Sequence, residues 1–302
     1  LIYFIHHIAS SIQAVAIIAS ATHETIEAID SLFPAVLGRE AEEPPPSADS
    51  ALPAGQQWHP VVARSTGYLQ SIDPKSVLEL AEKHDTILRM ERAIGEFVVE
   101  GTPLASVAAA APPDDDLVRP LQRAHALRLQ RSVYQDASFG IQQIVDMALK
   151  ALSPGVNDTT TAIISIDHLS AILARAATRR VESPYRSSDG EVRVFSRGPT
   201  FRTLVADALE QVRRSAAGNT AAIMRMLDAI DTVAAVTENP GRRQALREQV
   251  TLIWDTANRS VEAPHDRRLI EDRRDRTLRV LREAPPLTGD HPPTPSSSSQ
   301  RS

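Results

Sequence analysis

Hydrophobic residues recur at three- and four-residue intervals along the first 33 residues of the chain. This spacing places them on one face of a continuous α-helix, which we expect to end before Pro34 because proline cannot continue a helix. The residues on this face are Ile5, Ile8, Ile12, Val15, Thr22, Ile26, Ile29 and Phe33. We assign residues 1–37 to this first region.

The first 23 residues of this helix contain no Lys, Arg, Asp or Glu. A membrane span needs about 20 predominantly apolar residues, but His6, His7, Ser10, Ser11 and Gln13 are costly against lipid. We therefore interpret the stretch as the end of a membrane helix that runs on into a soluble one, and we expect further hydrophobic helices upstream. The alternative is an amphipathic helix of a purely soluble protein. A signal peptide is disfavoured because a basic start is lacking.

Two segments lack hydrophobic periodicity. Residues 38–58 are rich in Pro, Ala, Gly and acidic residues, which is typical of a linker. Residues 284–302 have the same character and bury too little apolar surface to order themselves. We expect a linker at the first segment and a disordered tail at the second.

Short β-branched runs with turn glycines predict a small β-rich module over residues 59–110. A helix inside it is predicted to start where Asp73 precedes Pro74. The segment "GEFVVEGTPL" resembles the hairpin of biotinyl, lipoyl and membrane-fusion-adaptor domains, which implies a barrel-sandwich-like module. Those carriers place a modifiable lysine after the last strand, whereas this chain continues with "AAAAPPDDD". We therefore expect no covalent prosthetic group.

Residues 115–283 carry the period of amphipathic helices and predict a helical domain. The helical segments are 137–152, one starting near Thr159, 201–216, 219–237, 240–259 and 265–283. The break at 182–200 is long enough for a short hairpin. The fold class is therefore α+β and predominantly α-helical, with a long N-terminal helix, a small β-rich module and then a helical bundle.

Composition narrows the classes of function. The chain has 302 residues, of which 42% are hydrophobic and 24% charged, so disorder over the whole length is excluded. The net charge of -5, with arginines interspersed among acids, argues against a nucleic-acid binder. The absence of cysteine excludes disulfides and thiolate metal sites.

The stretch "ALSPGVNDTTTA", residues 151–162, forms an elbow between two predicted helices. Pro154 and Gly155 have the chemistry of a turn, and Asp158 is a predicted N-cap for the second helix. The elbow is either purely structural or a binding loop, because Asn157 and three threonines crowd a helix N-terminus that attracts polar or anionic groups. We expect Asn157 to reach across to the preceding helix near Asp136 or Gln143.

The segment "YQDASFGIQQIVDMALKALSPGVNDTTTAIISIDHL" resembles the signature of a bacterial family of predicted membrane proteins, domain of unknown function 2254. The matching positions are Asp136, Phe139, Gly140, Asp146, 151–158, Thr161, Ala162 and Asp167. Thr159 stands where the family usually has proline. The opening "FIHHIASSIQ" is similar to the family's segment after its last membrane helix, so the resemblance covers nearly all of residues 1–285.

Candidate ligand-binding residues cluster around the elbow and the helix before it. They are Asp136, Gln143, Asn157, Asp158, Thr159 and Thr161. We assign no catalytic residue, metal or cofactor, because "HExxH", "GxSxG", P-loop and dinucleotide patterns are missing. Asp167 and His168 are adjacent, and adjacent helical side chains point about 100° apart, which prevents them from chelating one ion.

Two hypotheses of function follow. The first is the soluble domain of a multi-pass bacterial membrane protein, acting as a regulatory, assembly or gating module. The second is a membrane-tethered, hydrolase-like enzyme that uses Asp136 and the Asn157–Asp158 elbow. We expect the bacterial cell membrane as partner and location, with this domain on the cytoplasmic side. A homo-oligomer is left open.

Overall fold

The computed structural model describes residues 2–33, 48–49, 52–179, 185–188 and 191–283. The expected linker lies partly, and the expected tail wholly, outside the described residues. The helices are α1 Ile2–Leu32, α2 Pro74–Lys83, α3 Asp115–Arg123, α4 Ala137–Leu152, α5 Thr159–Ala177, α6 Phe201–Ser215, α7 Thr220–Ala234, α8 Pro240–Ser260 and α9 Pro264–Arg282. The strands are β1 Gln57–Val62, β2 Gly67–Ile72, β3 Leu88–Met90, β4 Phe97–Val98, β5 Pro103–Ala109, β6 His125–Arg128, β7 Tyr185–Ser188 and β8 Glu191–Phe195. These elements confirm the α+β, predominantly helical fold class.

Helices α1 and α4 to α9 share one large hydrophobic core. Their periodic apolar residues explain this, because each helix buries one stripe against its neighbours. Fully buried side chains such as Ile18 and Ile29 of α1, Ile144 of α4 and Ile166 of α5 belong to it. Helix α1 is therefore part of the helical domain.

Contacts between side chains define the direction of each helix. Thr22 and Asp30 of α1 meet His168 and Arg175 of α5 in the same order, so these two helices run in the same direction. Helices α5, α7 and α9 run parallel in the same way, while α4, α6 and α8 run in the opposite direction. The connections 153–158, 216–219 and 261–263 consequently lie together at one end of the bundle. We call this the connection end.

Two sheets pack at the opposite end, which we call the sheet end. The first has the strand order β1-β5-β3-β8-β7 and the second β4-β2-β6. Strand β5 pairs with β1 and β3 in antiparallel fashion, while β8 joins β3 in parallel, with Leu88 opposite Val194. Two small cores lie beneath these sheets, around Leu88 and around Leu69.

Strand-forming residues extend beyond the expected module boundary at residue 110. Strand β6 joins the second sheet from just before the helical bundle. The β7–β8 hairpin, which confirms the hairpin predicted in the break at 182–200, joins the first sheet from between α5 and α6. The start of α2 is also confirmed, because the Asp73 carboxylate accepts hydrogen bonds from the backbone N–H groups of Lys75 and Ser76.

The sequence predicted that the first helix includes the end of a membrane helix, and in the structure α1 has 31 residues. Among the described helices, none is both long enough and apolar enough to cross a membrane.

Candidate functional site

The elbow folds as a tight turn between α4 and α5. Asp158 is the N-cap of α5, as predicted: its carboxylate accepts hydrogen bonds from Thr161 N at 3.0 Å and from Thr161 Oγ1 at 2.6 Å. Its backbone N–H donates to the Ala151 carbonyl oxygen at 2.8 Å, which ties the new helix to the end of the previous one. The Asp158 carboxylate is thus engaged by its own helix.

The expected reach of Asn157 toward Asp136 or Gln143 is wrong. Asn157 is exposed, and its backbone lies in the left-handed region at φ 49°, with its N–H bonded to the Ser153 carbonyl oxygen. Asp136 precedes α4 and Asn157 follows it, so 16 helical residues, about 24 Å of rise, separate the two. Asn157 therefore serves the turn through its backbone, since asparagine tolerates positive φ better than most residues.

The two candidate threonines of the elbow, Thr159 and Thr161, face the bundle. Thr161 is buried, and Thr159 Oγ1 accepts a hydrogen bond at 2.9 Å from Asn219 Nδ2. Asn219 is the N-cap of α7, where its side-chain oxygen accepts from Ala222 N at 3.0 Å. The Thr159–Asn219 bond therefore joins two of the three connections at the connection end. Gln143 is half-buried midway along α4, away from both of these connections.

Asp136 lies at the other end of α4. Its side chain is only 5% exposed, caps α4 by accepting from Phe139 N at 3.0 Å, and pairs with Arg131 Nη2 at 2.7 Å. Gly95 of the β-rich part has φ 88° and lies so close that an added Cβ would overlap the Asp136 carboxylate. Asp136 therefore joins the sheets to the helical bundle, and its charge is matched by Arg131.

A cavity of about 430 Å³ opens at this junction. Its walls come from the end of α1, the β-rich part, the start of α4 and the segment before α6. The apolar lining residues are Leu32, Phe33, Ile72, Pro74, Val77, Met90, Ala93, Ile94, Ala137, Val194 and Pro199. Asp136 is the one sequence-predicted candidate that lines it; the elbow residues do not.

Helix α1 makes polar contacts that the sequence analysis did not predict. Thr22 Oγ1 lies 2.8 Å from His168 Nδ1, and the Asp30 carboxylate receives hydrogen bonds from Arg175 and Arg179. The bond from Arg175 is the main reason that the pKa of Asp30 lies below its ordinary value. Thr22, a polar residue within the predicted stripe, was the available signal for the first contact.

A glycine allows a close contact between α1 and α4. A Cβ added at Gly140 would overlap Thr25 Oγ1, and Thr25 is itself buried and bonded to the Ala21 carbonyl oxygen at 2.5 Å. Only a residue without a side chain fits here. This gives a physical reason for the Phe139–Gly140 pair in the signature segment.

Each of the four aspartates of the signature segment has a protein partner. Asp136 and Asp158 cap helices, Asp146 accepts from Gln142 Nε2, and Asp167 accepts from Arg225 Nη2 at 2.7 Å. Within the described part of the chain, no group of three or more His, Asp or Glu side chains is placed to hold a metal ion.

The geometry defines a class of protein: an α+β domain whose first helix is built into a helical bundle and ends at a cavity beneath two small sheets. The chain belongs to the family of predicted membrane proteins DUF2254, whose model matches residues 1–232. This confirms the resemblance seen in the sequence.

Mycobacterial proteins are among the relatives. The "Uncharacterized protein Mb1321c" of Mycobacterium bovis and the "Uncharacterized protein Rv1290c" of Mycobacterium tuberculosis are each 32% identical over 279 residues. The match covers 89% of this chain and 52% of each relative, so the chain spans about half their length. No solved structure matches the chain significantly.

Proposed function

We propose that this chain is the regulatory or gating module of a multi-pass bacterial membrane protein, and that α1 transmits position between the membrane and the cavity. The observation that carries the proposal is that one helix takes part in both regions. Its middle residues pack in the core of the bundle, and its last residues, Leu32 and Phe33, line the cavity. The family description as a predicted membrane protein supports the membrane context.

The contacts of α1 suit such a role. Ile18 and Ile29 are fully buried, Thr25 abuts Gly140 of α4, and Asp30 pairs with Arg175 of α5. These contacts span residues 18–30, so the second half of α1 is held against the bundle. Packed interfaces of this kind shift as rigid units between discrete arrangements, and a displacement at one end therefore reaches the other.

The cavity is a suitable receiver of that displacement. It is bounded by elements from four separate parts of the chain, and its walls are largely apolar, so small rigid-body shifts change its volume. Helix α1 has 31 residues and spans about 46 Å, which makes it long enough to link a membrane surface to this distant site.

The enzyme alternative has weaker support. It needs Asp136 and the Asn157–Asp158 elbow in one cleft, but α4 separates them along its whole length. Both carboxylates also accept hydrogen bonds from backbone N–H groups of the helices that they cap. Two carboxylates that are both engaged in helix capping fit a structural interface better than a catalytic cleft.

A pair of glycine substitutions tests the coupling. Gly140→Ala introduces a methyl group against Thr25, while Gly155→Ala adds one where nothing lies within 4 Å. Overpacking of a buried contact costs about 1–3 kcal/mol. We expect Gly140→Ala to speed amide hydrogen exchange in α1 and also at the cavity residues 93–95 and 196–198, which lie outside α4, and Gly155→Ala to leave both unchanged.

The proposal fails if faster exchange in Gly140→Ala is confined to the immediate contact between α1 and α4. The cytoplasmic side remains a prediction of its own. Protease accessibility of this domain in spheroplasts, compared with inverted vesicles, tests it.

A further inference from the structure

We infer that the connection end of the helical domain faces the lipid bilayer, and that the tip of the elbow, Pro154 to Val156, contacts the headgroup region. This inference rests on the proposed function for the membrane context and adds the orientation of the domain and a lipid-contacting site. It gives the elbow a role that its capping chemistry does not explain.

The direction of α1 carries the first step. Thr22 of α1 is level with His168 of α5, and Thr159 begins α5 nine residues earlier. Because the two helices run parallel, Thr159 is level with about residue 13 of α1. Residues 2–12 of α1 therefore extend past the connection end by about 16 Å, at 1.5 Å per residue.

The chemistry of that extension carries the second step. Its sequence, "IYFIHHIASSI", contains no Lys, Arg, Asp or Glu. A helical segment of this composition is stable at the boundary between headgroups and acyl chains. Insertion of the extension brings the connection end, and not the sheet end, to the membrane surface.

The elbow itself carries the third step. Pro154, Gly155 and Val156 are exposed at its tip, and the Val156 side chain is 44% exposed. The residues on either side, Ser153 and Asn157, are polar but uncharged. An apolar tip flanked by neutral hydrogen-bonding groups enters the headgroup region readily. A charged tip stays in water instead.

The opposite end supplies a matched control. Val236 follows α7 at the sheet end and is 43% exposed, almost the same as Val156. Since the chain has no cysteine, single substitutions Val156→Cys and Val236→Cys each give one labelling position. The two labelled chains differ only in the end of the bundle that carries the probe.

The experiment uses an environment-sensitive NBD fluorophore on each cysteine. The full chain is tethered by a C-terminal histidine tag to nickel-chelating vesicles of phosphatidylcholine and phosphatidylglycerol that contain a doxyl-labelled lipid. Because α9 ends at the sheet end, this tether does not itself bring the connection end to the surface, and contact is decided by orientation. We expect quenching at Val156→Cys to exceed that at Val236→Cys by about threefold or more, and to persist in high salt because the contact is apolar.

Three results overturn the inference: equal quenching at both positions, stronger quenching at Val236→Cys, or no quenching at either while the chains remain on the vesicles. The last result is also expected if a protein segment, rather than lipid, covers the elbow. Gly155→Cys provides a second probe of the tip. The coupling of α1 to the cavity is measured without vesicles, so the proposed function can stand or fall separately.

Discussion

Two neighbouring residues of the elbow stabilise it in different ways. Asp158 caps α5 with its side chain, while Asn157 supplies a left-handed backbone turn. The cap could be predicted from sequence because capping depends on residues within one helical turn. The orientation of Asn157 could not, because it depends on the backbone angle and on the length of α4.

Substitution of Asn157 tests whether its backbone is what matters. Asn157→Gly should leave the free energy of unfolding unchanged or raise it by about 0.5 kcal/mol, since glycine adopts positive φ freely. Asn157→Ala should lower the free energy of unfolding by about 1 kcal/mol. The measurement is urea unfolding followed by circular dichroism. Asn258→Gly, in the exposed face of α8, is the control and should lower stability by about 0.3–0.5 kcal/mol. Equal losses at both glycine variants contradict the backbone role.

A buried histidine predicts a pH dependence. His125 is 6% exposed, its Nδ1 donates to the Leu121 carbonyl oxygen at 2.7 Å, and burial lowers the pKa of its imidazole. The folded chain therefore binds this proton less readily than the unfolded chain. Stability from this residue is complete above the unfolded pKa of about 6.5 and is lost as the pH falls below it.

We expect the free energy of unfolding to fall between pH 7 and pH 5, by at most about 1.4 kcal/mol per pH unit from this group. His125→Asn keeps a donor for the Leu121 carbonyl and should flatten that slope. Asn258→Gly, a substitution without a titratable group at an exposed position of α8, should leave the slope unchanged. Chemical unfolding at each pH measures the slopes, and an unchanged slope in His125→Asn refutes the assignment.

Whole elements were predictable where the signal is local. The residues that form each apolar stripe of α4 to α9 lie close together in the sequence, and so do Asp73 and Pro74 at the start of α2. The β7–β8 hairpin was visible as a break, but its parallel pairing with β3 joins residues about 106 positions apart, as in Leu88 and Val194. No local pattern encodes such a pairing, so the limits of the β-rich part were underestimated.

Helix α1 illustrates the same distinction. Hydrophobic spacing predicted only part of its buried face: Thr22, Ile29 and Phe33 are buried, but Val15 is exposed and Ile18 is buried instead. Its partners come from α4 and α5 more than 100 residues later. Gly140 and Asp30 give no sign of their contacts in the sequence, because a small residue and a surface acid are both common in helices. Those contacts are what make α1 part of the bundle.

At the scale of the whole molecule, the two ends differ in character. The connection end gathers three short loops and the extension of α1, while the sheet end holds the β-rich part and the cavity. The cavity is built from four distant segments, so only the folded chain reveals it. Asp136 is the candidate from the sequence that the structure places there.

The central claim is that α1 is an integral part of the helical domain and couples one end of it to the other. Native-state hydrogen exchange of the full chain tests this most directly, because it gives an opening free energy for each element. The account predicts that amides of residues 18–30 open together with those of α4 and α5, at the free energy of global unfolding. Exchange of residues 18–30 at a clearly lower free energy, while α4 and α5 stay protected, would show α1 to be a detachable appendage and contradict the account.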